Sequence, residues 1–408
     1  MSRSNGTKGP LAGVTIIEYG VFHAGPGAAA ILGDLGADVI KIESAGGDPV
    51  RFWTQVGKTD LSCPSTGQSI MFDVSNRNKK GIWLDIKSPR GRAVFERLVS
   101  RADVFLTNLR KTTKEKLKLD YESIRKIAPN IIHANVSGYG PEGPFADMGA
   151  FDPMGQARSG MMFLHGAGMP VLIHLAILDQ ATAICLSHAI LAALFCRERH
   201  GLGQEVHTSL LGAGLWLLYA NVIMKGVLDR DPGVSWDRYE NSPLRNSYQC
   251  ADGVWLIGVH HPESKYWKAF CKATGQEQLS GDARFSGDNG GPGPCRDLIE
   301  TFDKVMARKT SHEWMQLFVE NGLMFAPVQT VGDVLGDPQV LENGYVVEFE
   351  HPSMGRVKIP GYPAHFSQGG VGTRSAGPRM GEHTDSVLRD FGYTDAEIEQ
   401  MKTEGVIR

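Results

Sequence analysis

The feature that most constrains this chain is a regular alternation of short apolar runs with helical stretches through its first third. VTIIEYG, ADVIKIE, GIWLDI, ADVFLTN and NIIHANVSGYG each read as a buried strand. Between them lie segments with helical character, over residues 27–35, over residues 90–101 (RGRAVFERLVSR) and in YESIRKIA. Antiparallel neighbours need only tight turns, whereas repeated strand–helix–strand units return each strand parallel to the last. The pattern therefore predicts a parallel sheet with helices on both faces.

After Tyr139 the character changes. GPEGPFADMGAFDPMGQARSGMM is rich in Gly and Pro and reads as loop leading into a helix. Residues 180–199 read as one long helix with Arg197, Arg199 and His200 in its last turn and Gly201 as the C-cap. EVHTSLLGAGLWLLYANVIMKGVL reads as a further apolar helical stretch linking two bodies of structure. YQCADGVWLIGV has the form of a hairpin turning at Asp252-Gly253, and VVEFEHPSMGRVKIPG of a second. Helices are expected over 265–273 and 312–321, with SGDNGGPGPCR as a surface loop between them. The tail reads as a loop and two short helices. There is no internal repeat.

With 408 residues the chain has room for two domains. A net charge of −3 and a pI near 6.5 give no sign of a nucleic-acid or membrane partner, so the expected partners are small molecules or another copy of the chain. The six cysteines form no C-x-x-C pair and read as reduced thiols of a cytoplasmic protein. MSRSNGTKGP has no apolar core of the signal-peptide kind. The most apolar stretch, residues 181–196, is too short to span a bilayer and contains polar residues, which favours a buried helix.

Within the first βα unit, Gly25-Pro26-Gly27-Ala28-Ala29-Ala30 fits G-x-G-x-x-G/A and Glu43 closes the second strand, as in dinucleotide sites. Pro26 removes one of the donors such a turn uses, and a lone six-residue match in a chain with 49 glycines is weak. The turn could instead be small residues that let a helix pack closely, or could hold the ADP part of coenzyme A.

LAGVTIIEYGVFHAGPGAAAILGDLGADVIKIES followed by GDPVR, then NRNKKGIWLDIKSPRGR, VSGYGPEGP, GQARSGMM, ALFCRERHGLGQEV, FAPVQTVGDVLGDPQVLENGYVVEFEHPSMGRVKIPG and GPRMGEHTDSVLRDFGY together resemble the family III CoA-transferases, from Leu11 to about Ile407. The resemblance implies an α/β fold. A Rossmann-like parallel-sheet large domain would come from residues 1–205 and 331–408, a linker helix from 206–228, and a smaller α+β domain from 229–330. It also implies two interlocked subunits, as a homodimer or with a paralogous subunit. The function implied is transfer of CoA from an acyl-CoA donor to a carboxylic acid. CoA thioesters are then substrates, with no cofactor and no metal. Overall likeness is nearest to members that handle aromatic or branched acids such as phenyllactate, or benzylsuccinate with succinyl-CoA as donor.

The family's nucleophilic aspartate precedes a long apolar helix and an Arg/Gly/Gly/Gln block, here Asp179 with Arg199, Gly201, Gly203 and Gln204. A carboxylate at a helix N-terminus feels the positive end of the dipole and can cap free N–H groups, which favours its ionised form; an ordinary N-cap would look the same. The resemblance further implies contacts to the CoA substrate from His23, Ala24, Asn108, Leu109, Lys116, Leu117 and Tyr139. Trp53, Phe151, Met154, Met161, Met162 and Trp216 could form an apolar pocket or plain core. Leu178 and Ala183 stand where relatives have smaller residues and are expected to crowd the nucleophile. That leaves open a non-catalytic subunit. In the racemase branch of the fold a His stands in the block that here reads Ala150-Phe151-Asp152, and Phe151 cannot act as a base.

Overall fold

The computed structural model describes residues 8–164, 168–229, 237–282 and 293–408. The chain divides into two compact units. The larger holds residues 1–164, 169–232 and 341–408; the smaller holds 165–168 and 233–340.

The larger unit is built on a sheet of six parallel strands. These are β1 (Thr15–Glu18), β2 (Asp38–Glu43), β5 (Lys79–Trp83), β6 (Val104–Thr107), β7 (Ile132–Ser137) and β8 (Gln204–Ser209); a small ribbon, β3 (Gln55–Val56) and β4 (Thr59–Asp60), lies apart from it. The strand order is β5-β2-β1-β6-β7-β8, the doubly wound order that reverses direction between its first and fourth strands. Ile16 pairs with Val39 and with Val104, which sets the register at that reversal. Because side chains alternate along a strand, Ile16 and Ile17 enter different cores. Ile16, Val39, Val104 and Leu106 pack under helices α1 (Ala24–Asp34) and α7 (Ile177–His200). Ile17, Ile40, Ile42 and Phe105 pack under α3 (Pro89–Val99) and the C-terminal residues Val387, Leu388, Ile398 and Met401.

Helix α2 (Met71–Asn76) follows the ribbon. Helices α4 (Lys111–Leu117) and α5 (Tyr121–Ile127) lie between β6 and β7, and α6 (Asp152–Ser159) lies before α7. Gly201, with φ +71°, caps α7 as expected. That helix has 24 residues, so length alone would let it cross a membrane; the expectation that it is too short does not hold. Leu178, Ala183, Leu186, Ile190 and Ala193 nonetheless lie in the core beneath the sheet. The stretch after Gln204 also differs from its all-helical reading. Gln204–Ser209 is the edge strand β8, followed by α8 (Leu210–Leu217) and α9 (Tyr219–Leu228). An edge strand that is half exposed on both faces carries no apolar alternation to mark it.

The smaller unit has a three-stranded antiparallel sheet, β9 (Arg245–Gln249), β10 (Trp255–Val259) and β11 (Phe325–Pro327), with β10 central. Helices α10 (Glu263–Ala273), α11 (Arg296–Met306) and α12 (Ser311–Glu320) cover it around an aromatic core of Tyr248, Trp267, Phe270, Phe302, Trp314 and Phe318. The hairpin at Asp252-Gly253 forms as read. Most of the loop SGDNGGPGPCR falls outside the described residues. Two short helices, α13 (Val331–Val334) and α14 (Pro338–Glu342), close this part of the chain. The second hairpin, β12 (Val346–His351) with β13 (Gly355–Pro360), belongs to the larger unit, as do α15 (Thr384–Asp390) and α16 (Asp395–Thr403).

Candidate active site

Ligands of doubly wound sheets bind beyond the carboxyl ends of the strands, where the order reverses. Here that point lies between β1 and β6. The turn after β1 (Val21, Phe22, His23) and the residues after β6 (Asn108, Leu109) line a cavity of about 750 Å³. The Asn108 side chain pins the turn from both sides. Its Oδ1 accepts from Val21 N–H at 3.0 Å, and its Nδ2 donates to Val21 C=O at 2.6 Å. Phe22 has φ +60°, an unusual conformation for a bulky residue, and its N–H donates to Asp48 Oδ1 at 3.0 Å. Asp48 is itself ion-paired at 3.0 Å to buried Lys41, which also pairs with Glu18 at 2.8 Å. A buried charge network therefore fixes the strained turn.

The glycines of the dinucleotide-like pattern serve close packing. A Cβ on Gly25 would come within 3.1 Å of the Asn108 side chain, and one on Gly27 within 3.1 Å of both Ala183 and His23. Glu43 is occupied by Arg51, which donates to it from Nε at 2.8 Å, and by Asp48 N–H. It is not free for a ribose.

A second cavity, of about 710 Å³, opens on the other side of the same turn; Phe52, Trp53, Met71, Leu172, Leu175 and Asp179 are among its walls. Four residues line both cavities: Phe22, His23, Phe151 and Asp179. The rings of Phe22 and Phe151 meet edge to face at 5.2 Å.

Asp179 is the third residue of α7. It does not cap the helix. Asp152, from α6, accepts from the N–H groups of Leu178 (2.6 Å) and Asp179 (2.9 Å) through Oδ2, and Gln156 donates to its other oxygen. Gln156 also clasps the backbone of Ile173, donating to its C=O at 2.8 Å and accepting from its N–H at 3.1 Å. The capping work expected of Asp179 is thus done by Asp152. No group among the described residues donates a hydrogen bond to the Asp179 carboxylate. Burial, and then the charge of Asp152, push its pKa up to about 7, opposite to the expectation that the helix dipole would dominate.

His23 is buried, with Nδ1 2.6 Å from Ser75 Oγ and Nε2 2.8 Å from Gln180 Oε1. An amide oxygen accepts, so Nε2 carries the proton and Nδ1 accepts from the serine. Burial lowers the imidazole pKa, partly opposed by Gln180, so the ring is neutral at pH 7.

Of the residues expected at the site, His23, Ala24, Asn108, Leu109 and Asp179 come together around the first cavity. Lys116, Leu117 and Tyr139 are not among its walls. Lys116 is exposed on α4, Leu117 packs against the core and the Tyr139 ring meets that of Phe145 at 57° with centroids 5.7 Å apart. Arg110 and Lys111, not singled out from the sequence, line the cavity and have no carboxylate partner among the described residues. Lys114 also lines it and donates to Asn135. Trp53 and Phe151 reach the second cavity and Met154 the first, whereas Met161 is core and Trp216 is exposed on α8. Leu178 and Ala183 line neither cavity. Leu178 is fully buried against Gly155 and Gly214, so the expected crowding of Asp179 does not occur.

Residues 11–384 match CoA-transferase family III. The chain belongs to that family. It is 31% identical to the (R)-2-hydroxy-4-methylpentanoate CoA-transferase of Clostridioides difficile over 98% of this chain and 99% of the relative. It is 32% identical to the succinyl-CoA:glutarate CoA-transferase of Mus musculus, covering 98% and 90%. Among solved structures, a CAIB/BAIF family protein from Brucella suis superimposes with a TM-score of 0.81 at 26% identity, covering 94% of this chain and all of that one. Family III CoA-transferases thus share both sequence and fold with this chain.

Proposed function

We propose that this chain transfers CoA between carboxylic acids through covalent chemistry on Asp179. The observation that carries the reading is a carboxylate to which none of the described residues donates a hydrogen bond, set on the walls of both cavities. Such a group is poorly solvated and correspondingly nucleophilic once ionised. An Asp179 oxygen attacks the thioester carbonyl of the donor, and the C–S bond breaks to release CoA thiolate and leave a mixed anhydride. The thiolate attacks the aspartyl carbonyl, forming an aspartyl-CoA thioester and expelling the donor acid as its carboxylate. The acceptor carboxylate then attacks the aspartyl-CoA carbonyl. The thiolate leaves, a second anhydride forms, and the thiolate takes the acceptor acyl group, restoring Asp179. Thioester energy is conserved and no proton is gained or lost.

CoA occupies the 750 Å³ cavity, with Asn108 and Leu109 along its length and Arg110 and Lys111 toward the phosphates, and with Lys116, Leu117 and Tyr139 more peripheral. The first-turn N–H groups of Ala24 and Gly25 at the start of α1 are suited to charge developing on the anhydride oxygens. His23, neutral and held at both nitrogens, orients Gln180 beside Asp179. A non-catalytic role fits poorly with an unpaired Asp179, and a racemase lacks a base at Phe151.

Exposed apolar side chains along α8 and α9, including Trp216, Val222 and Val227, support burial against a second subunit. All six cysteines are free, which suits a cytoplasmic setting. The test is mass spectrometry after incubation with acyl-CoA and hydroxylamine. A hydroxamate on the peptide containing Asp179, absent in Asp179→Ala, supports the mechanism; labelling of another residue overturns it.

A further inference from the structure

The second cavity bears on which acids the enzyme handles, an inference that rests on the transfer chemistry above. Its walls are apolar at Phe52, Trp53, Val56, Met71, Leu172 and Leu175. None of its lining residues is Lys or Arg, and two, Asp152 and Asp179, are acidic. Of the basic residues close in sequence to those walls, Lys58 is exposed and is not among the lining residues, and three others are paired. Arg51 is paired with Glu43 and lies over the Phe72 ring, Arg77 is paired with Asp34 at 2.6 Å, and Lys79 is paired with Glu18. Of the two imidazoles on the wall, His23 has both nitrogens occupied. His174 and the Ser75 hydroxyl are hydrogen-bonding groups on the wall that suit a hydroxyl or a carbonyl.

A second carboxylate on the acid would enter an apolar space, with no cation among its described lining residues, beside two groups of its own sign. Both acids of the exchange use this space in turn, because both must be joined through the same Asp179 carbonyl.

We propose that the 710 Å³ cavity makes this enzyme an exchanger between monocarboxylic acids with apolar, aromatic or branched bodies, so that donor and acceptor both belong to that class and dicarboxylic acids such as succinate are excluded from either role. The likeness to enzymes using succinyl-CoA therefore does not extend to the donor.

The experiment compares wild-type rates of hydroxylamine trapping at Asp179 from 3-phenylpropanoyl-CoA and 4-methylpentanoyl-CoA with those from succinyl-CoA and glutaryl-CoA. It then compares 3-phenylpropanoate with glutarate as acceptors for the accumulated aspartyl-CoA. The expected result is a kcat/KM preference of at least about 100-fold for the apolar monoacids on both sides. Succinyl-CoA labelling Asp179 within about tenfold of the apolar donors overturns the assignment while leaving the transferase reading intact. Absence of labelling from all four overturns both. Leu172→Arg places a cation on the wall and is expected to narrow the preference; the wild-type comparison decides the matter if that variant folds poorly.

Discussion

At the scale of single residues, Asp179 combines reactivity with a cost to the folded state. Its carboxyl has a folded pKa near 7 against 3.8 when free, so the folded protein binds that proton more tightly than the unfolded chain does. The associated stability is complete below about pH 4 and is lost as pH rises through 7. Asp179→Asn is therefore expected to match the wild-type Tm near pH 4 and to exceed it by a few degrees at pH 8, while kcat/KM falls by about 10³-fold or more. The nucleophile is the ionised form, so wild-type activity rises with pH through about 7. Burial is the larger cause of the raised pKa and Asp152 the second. Asp152→Asn keeps an oxygen to accept from the α7 N–H groups but removes the charge, and a pH–rate profile should show the acidic limb moving to lower pH. Asp179 was legible through the family's sequence pattern. The clamp of Asp152 and Gln156 was not, because it joins residues separated by up to 27 positions through contacts that no local spacing records.

At the scale of elements, the approach of α6 and α8 to the start of α7 depends on two glycines. A Cβ at Gly155 would lie 2.7 Å from Leu178 Cδ2 and 2.8 Å from Leu210 Cβ. Gly155→Ala should destabilise by about 1–3 kcal/mol through overpacking. In a double-mutant cycle, Leu178→Ala should recover part of that loss, since it removes the atom in the way. If the two effects were strictly additive by denaturant unfolding, Leu178 would not be seated there. The alternating strands and helices were readable because the strands are short, mainly apolar runs, although buried polar residues such as Glu18, Lys41 and His133 interrupt them. The strand β8 was not, because its edge position leaves it polar and the apolar run beyond it suggested a helix.

At the scale of the whole molecule, the strand order places its reversal beside the turn that carries His23, so the first βα unit marked the site although its glycines serve packing rather than a dinucleotide. The exposed apolar residues of α8 and α9 lead to a direct expectation: sedimentation equilibrium should give twice the 44.4 kDa chain mass, and Val227→Asp, which charges a side chain that is 75% exposed, should shift the protein toward monomer. The end of the chain closes the larger unit. Val406 C=O accepts from Asp85 N–H at 3.0 Å, Ile407 bridges Leu84, and Val387, Leu388, Ile398 and Met401 cover the face bearing Ile40, Ile42 and Ile82. Helix α3 covers part of that face, and α15 and α16 cover the remainder. A chain halted before residue 384 therefore leaves part of this apolar face bare, a surface suited to chaperone capture.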